Sequence, residues 1–248
     1  SGEAMQRAPT FVFPSAREAR DFCIWLKQAF EQIKAVAEST TSIGKLNEIE
    51  QYHAHNMVFT RFDYSTGDAA GQNMTSRATF AACEWIVKEH PPLSHYLLSG
   101  SFDTEKRTSS VNLLKGRGKR VTAEITIPRE VMIKNLRISP HQMHYGQGIS
   151  TLAAMLTNSS NNAAHPANGL AALYLATGQD IANIGESNQC TTYNKVTRDG
   201  DYYFSITMPA LIMATYGGGT ALPTQRECLE IMDCFGKGKA MKLAEIAA

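Results

Sequence analysis

From residue 99 to residue 119 the hydrophobic periodicity that organises the rest of the chain breaks off. The stretch is polar, contains Gly100, Gly116 and Gly118, and gathers Lys106, Arg107, Lys115, Arg117 and Lys119, with Arg120 just beyond. A segment without an apolar face has little to bury, so 99–110 is expected to be a loop joining two separately packed bodies. The length agrees, since 248 residues accommodate one large domain or two modest ones, at roughly 100–200 residues each.

Ahead of that break the pattern is dense. Ser15 follows Pro14 and pairs with Glu18 as a capping box. Ala19, Phe22, Cys23, Leu26, Phe30 and Ile33 then recur at the spacing of one helical face. Two strands follow, 46–52 and 57–64, joined near His55-Asn56. The second alternates Val58, Phe62 and Tyr64 on one side with Arg61 and Asp63 on the other. Ser65-Thr66-Gly67-Asp68 is turn chemistry that opens a second helix, whose expected buried face is Ala70, Met74, Ala78, Ala81, Ala82 and Trp85. Pro91-Pro92 closes it, and 96–98 reads as a short strand. Helix, strand, strand, helix, strand predicts a compact α+β unit, a small sheet covered by helices.

Beyond the break, Val121, Ala123, Ile125 and Ile127 alternate as a half-buried strand. Helices are expected over 129–136 and 164–177. Strands 190–197 and 202–208 flank Asp199-Gly200, a strong hairpin signal. Gly217-Gly218-Gly219 leads into a helix over 224–235, and 240–248 is helical.

Composition excludes several classes of function. The net charge is +1 and the hydrophobic share 43%, so bulk electrostatics favour neither nucleic acid nor a membrane surface. The basic stretch lacks interleaved aromatics, which points to solvent or an anionic small molecule rather than a nucleic acid. No apolar run reaches the ~18 residues of a membrane helix. Ser1-Gly2-Glu3-Ala4 shows no basic-then-apolar leader, so no signal peptide is expected. The five cysteines, Cys23, Cys83, Cys190, Cys228 and Cys234, are odd in number and lack CxxC spacing. Reduced thiols in a cytoplasmic protein are expected. The histidines show no HExxH spacing, and His141 with His144 has no third ligand, so no metal site is expected.

Two places suit an anion. The segment Gly67-Asp68-Ala69-Ala70-Gly71-Gln72-Asn73-Met74 sits where a strand passes into a helix. It reads either as a phosphate site on helix N–H groups or as a plain helix start capped by Asp68. Thr215-Tyr216-Gly217-Gly218-Gly219-Thr220 reads either as a close backbone approach to a ligand or as a flexible turn.

Taken in order, Asp68-Ala69-Ala70-Gly71-Gln72-Asn73-Met74, Ser99-Gly100-Ser101-Phe102-Asp103-Thr104-Glu105-Lys106-Arg107, Lys115-Gly116-Arg117-Gly118-Lys119, Gly178-Gln179-Asp180-Ile181-Ala182-Asn183 and Gly217-Gly218-Gly219-Thr220 resemble the signature blocks of the hydroxymethylglutaryl-coenzyme A reductase family, in the class found in eukaryotes and many archaea. The resemblance implies an α+β fold with a ferredoxin-like small cofactor domain inserted in a larger α+β substrate-binding domain. On that pattern 1–8 is a remnant of the large domain, 9–98 the small dinucleotide-binding domain, 99–110 the connecting substrate loop and 111–248 the large domain. It further implies reduction of an acyl-coenzyme A thioester with NADPH, NADH being the alternative cofactor. The rival readings are a diverged reductase of another acyl thioester or carbonyl, and a non-catalytic dinucleotide- or acyl-binding relative.

The residue roles come by the same route. Lys106 matches the catalytic lysine and Asp180 a buried aspartate beside it. Arg7 matches an arginine that binds the acyl carboxylate. Ser99, Glu105, Arg107 and Asn168 match further substrate ligands. Ser39, Thr40, Asp68, Ala69, Ala70, Gly71, Gln72, Asn73, Gly217, Gly218 and Gly219 match cofactor contacts. A cis peptide is implied at Asp103-Thr104. Ser42 stands where the family has an arginine near the cofactor, which implies weaker discrimination for NADPH. Residues 158–162 are rich in asparagine and serine where the family is glycine-rich. The family's Thr-Thr-Glu-Gly block would precede the first residue here, and its Ala-Gly-His block would follow the last. A homodimer, with the active site built across its interface, is the implied assembly.

Overall fold

The computed structural model describes residues 2–90, 92–159, 161–163 and 165–248. Ser1, Pro91, Ser160 and Ala164, which belong to the terminal remnant, the helix-closing proline pair, the 158–162 segment and the helix start expected at 164, lie outside the described residues. The chain divides into two compact units, Glu3–Glu105 and, together with Gly2, Lys106–Ala248.

The first unit is built on four strand positions. Strands β1 (Gly2–Arg7) and β2 (Thr10–Val12) lie end to end along β4 (Met57–Ser65), in the registers Met5↔Tyr64 and Thr10↔Phe59. Strand β3 (Lys45–Ala54) pairs with the other edge of β4, and β5 (His95–Leu97) pairs with β2. Every pairing is antiparallel. Helices α1 (Ala16–Gln28), α2 (Phe30–Glu38) and α3 (Gln72–Glu89) complete a β-α-β-β-α-β order, the ferredoxin-like arrangement. Phe11, Phe13, Phe22, Leu26, Ile33, Leu46, Val58, Phe62, Tyr64, Ala82 and Ile86 form its core.

The expected first helix is present and capped by Ser15, whose Oγ accepts from the Glu18 N–H at 3.3 Å. It divides at Ala29 into two helices. The second helix begins later than expected. Gly71, at φ 81°, is its N-cap, and Asp68 lies in the preceding turn. Its buried face is accordingly Thr75, Ala78, Thr79, Ala82, Cys83 and Ile86. Trp85 is half-buried and stacks on Trp25 at 6.0 Å. The hairpin at His55-Asn56 is as expected, with His55 left-handed at φ 57°.

The second unit carries an antiparallel three-stranded sheet in the order β6 (Gly118–Ile127), β8 (Tyr202–Leu211), β7 (Thr191–Val196). Helices α4 (Ser110–Lys115), α5 (Arg129–Val131, continued as a π-turn to Leu136), α6 (Pro140–Leu156), α7 (Pro166–Thr177), α8 (Ile184–Ser187), α9 (Pro223–Ile231) and α10 (Ala240–Ala247) surround it. Val121, Leu170, Tyr174, Met208, Leu211, Leu229 and Leu243 form its core. The helix expected over 224–235 stops at Ile231, so Cys234 lies beyond it. All five cysteines are free. Among the described residues no helix is long and apolar enough to cross a membrane.

Candidate active site

In the first unit two clusters form. The loop 99–105 is drawn to the β1–β2 junction by Gly100, whose N–H donates to the Ala8 carbonyl at 2.7 Å. A Cβ at Gly100 would lie 1.9 Å from Thr10 Oγ1, so only glycine fits there. Phe102 packs on Tyr52 and Phe59, with ring centroids at 4.7 and 5.6 Å, and its carbonyl accepts from Arg61 Nη1 at 3.3 Å. These anchors bring Glu105 to Arg7 at 3.0 Å and Asp103, 1% exposed, to Arg7 at 3.6 Å. Arg7 is thus a preset guanidinium held between two carboxylates. Ser99 is exposed at the entry to the loop. Asp103 is a member of this cluster that the site residues inferred from the sequence omit; a lone acid in a polar loop gives no periodic signal.

No cis peptide bond occurs among the described residues, Asp103-Thr104 included. The loop reverses instead through left-handed Ser101 (φ 64°), Thr104 (φ 58°) and Lys106 (φ 58°).

The second cluster gathers the segments expected to touch a dinucleotide. A Cβ at Gly44 would lie 2.4 Å from Met74 Sδ, and one at Gly67 3.6 Å from Ile43. The 39–44 turn therefore packs against the 67–74 segment. Ser39 Oγ donates to the Val36 carbonyl at 2.7 Å and Thr40 Oγ1 to that of Ala37 at 2.8 Å, so both hydroxyls finish α2. Glu3 accepts from the backbone N–H groups of Thr66 and Gly67 (2.6 Å for Gly67) and from Thr66 Oγ1 at 2.9 Å. That carboxylate shapes the turn holding Asp68, Ala69 and Ala70. Gly71 is left-handed, and a Cβ there would meet Thr66 Cγ2 at 2.4 Å. It stands at the head of the 18-residue α3, which begins with Gln72 and Asn73. Small residues thus precede the long α3 at this turn.

The third cluster lies in the second unit. Lys106 Nζ meets Asp180 Oδ2 at 3.1 Å, the side chains being 42% and 43% exposed. Asp180 is therefore half-exposed rather than buried. It caps the short turn Ile181–Asn183, its Oδ1 accepting from the Ala182 N–H at 3.1 Å, and that role keeps it near the surface. Gly178 ends α7 at φ 70°, and a Cβ there would meet the Gly219 carbonyl oxygen at 2.4 Å. The Gly217-Gly218-Gly219 turn is thus seated against the strand of chain that carries Asp180. Gly217 and Gly218 are themselves left-handed (φ 83° and 57°) with open space beside them. Gln179 locks this corner, donating to the Ala214 carbonyl at 2.9 Å and accepting from the Ala214 N–H at 2.7 Å. Arg107 is exposed, and its carbonyl accepts from Asn112 Nδ2 at 3.3 Å. Asn168 is exposed on the first turn of α7, and its side chain has no hydrogen-bond partner among the described residues, so it joins neither partner of the ion pair here.

A ferredoxin-like unit, and a second unit presenting a lysine–aspartate pair beside a triglycine turn, define an α+β protein with polar site chemistry. A sequence model described as hydroxymethylglutaryl-coenzyme A reductase matches residues 1–248, and the chain belongs to that family. The 3-hydroxy-3-methylglutaryl-coenzyme A reductase of Pyrococcus abyssi is 40% identical over 256 residues, covering 99% of this chain and 62% of the relative. That of Methanocaldococcus jannaschii is 38% identical over 250 residues, covering 98% and 62%. The chain therefore spans about three fifths of the length of these curated relatives. Among solved structures, the class II enzyme of Streptococcus pneumoniae bound to NADPH in open conformations shares the fold at a TM-score of 0.69. The two are 14% identical, over 98% of this chain and 68% of that one.

Proposed function

We propose that this chain is the cofactor- and acyl-binding portion of an NADPH-dependent reductase that converts hydroxymethylglutaryl-coenzyme A to mevalonate in the cytoplasm. The observation that carries the reading is the Lys106–Asp180 pair at 3.1 Å, set beside the triglycine turn in a chain of this family. Residues 9–98 are assigned to dinucleotide binding, 99–110 to the substrate loop and 111–248 to acyl binding. Ser39, Thr40, the 68–73 segment and Gly217–219 would hold NADPH, which when bound supplies hydride. The left-handed glycines at 71, 217 and 218 support that assignment.

Reduction of a thioester to an alcohol places negative charge on the carbonyl oxygen at each of two stages. The Lys106 ammonium, aimed by Asp180, is the group assigned to stabilise it. Arg7 is assigned to the substrate carboxylate, which would share a guanidinium already held by Glu105 and Asp103. Ser99, Arg107 and Asn168 are assigned to the remainder of the acyl group. Their exposure leaves them available to a ligand. Because an exposed serine, Ser42, occupies the position of the family's arginine, modest preference for NADPH over NADH is expected.

The test is made on the full-length protein that contains this chain. Mevalonate should form from hydroxymethylglutaryl-coenzyme A with oxidation of NADPH, and fluorescence titration should show saturable NADPH binding. Binding without turnover on this or related acyl thioesters would replace the reading by a binding-only relative. Failure of both NADPH and NADH to bind at millimolar concentration would end it.

A further inference from the structure

The most deeply buried charges of the second unit are not used by the chemistry proposed above. Arg117 and Glu186 are both 0% exposed, with Nε and Oε1 3.4 Å apart. Arg117 is turned inward because Gly116 and Gly118 on either side are left-handed (φ 80° and 74°) and pressed onto β8. A Cβ at Gly116 would lie 2.9 Å from the Pro209 carbonyl oxygen, and one at Gly118 2.3 Å from that of Leu211. The backbone N–H of Arg117 itself donates to Pro209 at 3.2 Å.

Glu186 faces two ways. One neighbour is Arg117, and on another side the backbone N–H of Lys106 faces the same carboxylate and favours its charged form. Its neighbour Gly185 lies against the same residue: a Cβ there would be 2.5 Å from the Lys106 carbonyl oxygen and 2.8 Å from the carbonyl carbon. Lys106 is left-handed at φ 58°, a conformation a lysine holds only when its surroundings impose it. The segment 180–187 therefore grips Lys106 at both ends, with Asp180 on the ammonium and Gly185-Glu186 on the backbone.

We infer that Glu186, held by Arg117, is a positioning residue for Lys106: it fixes the lysine's strained backbone so that the ammonium falls on Asp180. The catalytic meaning of that placement rests on the reductase reading; the placement itself does not. Burial pushes the Glu186 carboxyl up, and the Arg117 guanidinium pulls it back towards the charged form. That balance makes the pair a costly element to keep unless it orders something.

Limiting acetic anhydride, read by peptide mass spectrometry, measures the reactivity of each lysine in the folded chain. Lys195 and Lys239 serve as internal references. In Glu186→Ala, Lys106 should gain roughly three- to tenfold in labelling as its ammonium leaves Asp180, while the references stay unchanged. Glu186→Gln keeps the side-chain volume and an oxygen for Arg117 Nε, so Gly185 stays pressed on Lys106 and labelling should stay within about twofold of wild type, a rescue that loss of general stability does not predict. Should Glu186→Ala not fold, Gly185→Ala displaces the Lys106 carbonyl with the ion pair intact and should raise labelling in the same way. A folded Glu186→Ala, or in its absence Gly185→Ala, with wild-type Lys106 labelling overturns the inference. In the full-length protein Glu186→Ala should lower kcat at least tenfold with the KM for dinucleotide within about twofold. A change in dinucleotide KM with unaltered kcat also overturns it. An inactive full-length wild type removes the reductase reading, and the labelling still decides the placement.

Discussion

Lys106 and Asp180 are each more than two-fifths exposed, so their pairing adds little to stability in water. Its worth is orientation, realised when a substrate displaces solvent. In the full-length protein Lys106→Ala should cost roughly 10²- to 10³-fold in rate, the typical loss for one oxyanion donor, with dinucleotide affinity within about twofold. Retention of more than about a tenth of the rate would rule out that role. Asp63 gives a separate test. Burial pushes its carboxyl up to about 6; Gln6 and Arg61 pull the other way, and Glu48 and Glu50 push further. A carboxyl raised in the folded state supports folding while protonated. That contribution is whole below the unfolded value of 3.8 and is lost as pH rises through about 6. Asp63→Asn should therefore raise the melting temperature by about 2–6 °C at pH 7.5 and change it little at pH 4. The same shift at both pH values would show that burial of the charge is not the cause.

At the scale of elements, glycines set the turns that carry the site. Gly178 and Gly200 are both left-handed, at φ 70° and 84°, but only Gly178 is crowded, by Gly219. Gly200→Ala in the β7–β8 hairpin should cost about 1 kcal/mol, the penalty of the dihedral alone. Gly178→Ala should cost more, roughly 2–4 kcal/mol, because the Gly217–219 turn must also move. Denaturant midpoints of the two variants make the comparison, and equal costs would mean that the turn yields freely. The same scale explains where patterns misled. Strands β1 and β2 are broken by Ala8-Pro9 into pieces too short to show alternation. The start of α3 is set by the left-handed Gly71 against Thr66, which propensity does not see.

For the whole molecule, α6 is the surface on which the proposed assembly rests. Of its 17 residues only Pro140 is buried, while Tyr145 (73% exposed), Met155 (73%) and Leu156 (79%) face outward. Apolar side chains in such a row favour a covered surface. The proposed assembly is a homodimer or a multiple of it, with two-fold symmetry. Light scattering at tens of micromolar should show at least the dimer mass, and Leu156→Glu should shift it towards the monomer. A wild type that stays monomeric would count against a site shared between copies.

The residue order alone makes legible the α+β class, the helix-strand-strand-helix-strand order of the first unit, the Asp-Gly hairpin and membership of the family. Those follow from local periodicity, turn chemistry and blocks of residues in order, all of which are written along the chain. It also marked Lys106 and Asp180, 74 positions apart, as a pair. Folding in three dimensions sets their distance at 3.1 Å, leaves Asp180 half-exposed, and makes Asp103 and Glu105 share Arg7. It alone showed Glu186 beneath Lys106, because burial and close backbone contact join residues that no periodicity relates. A charged residue in a short polar turn looks solvated in one dimension, and only folding shows which charges have lost their water.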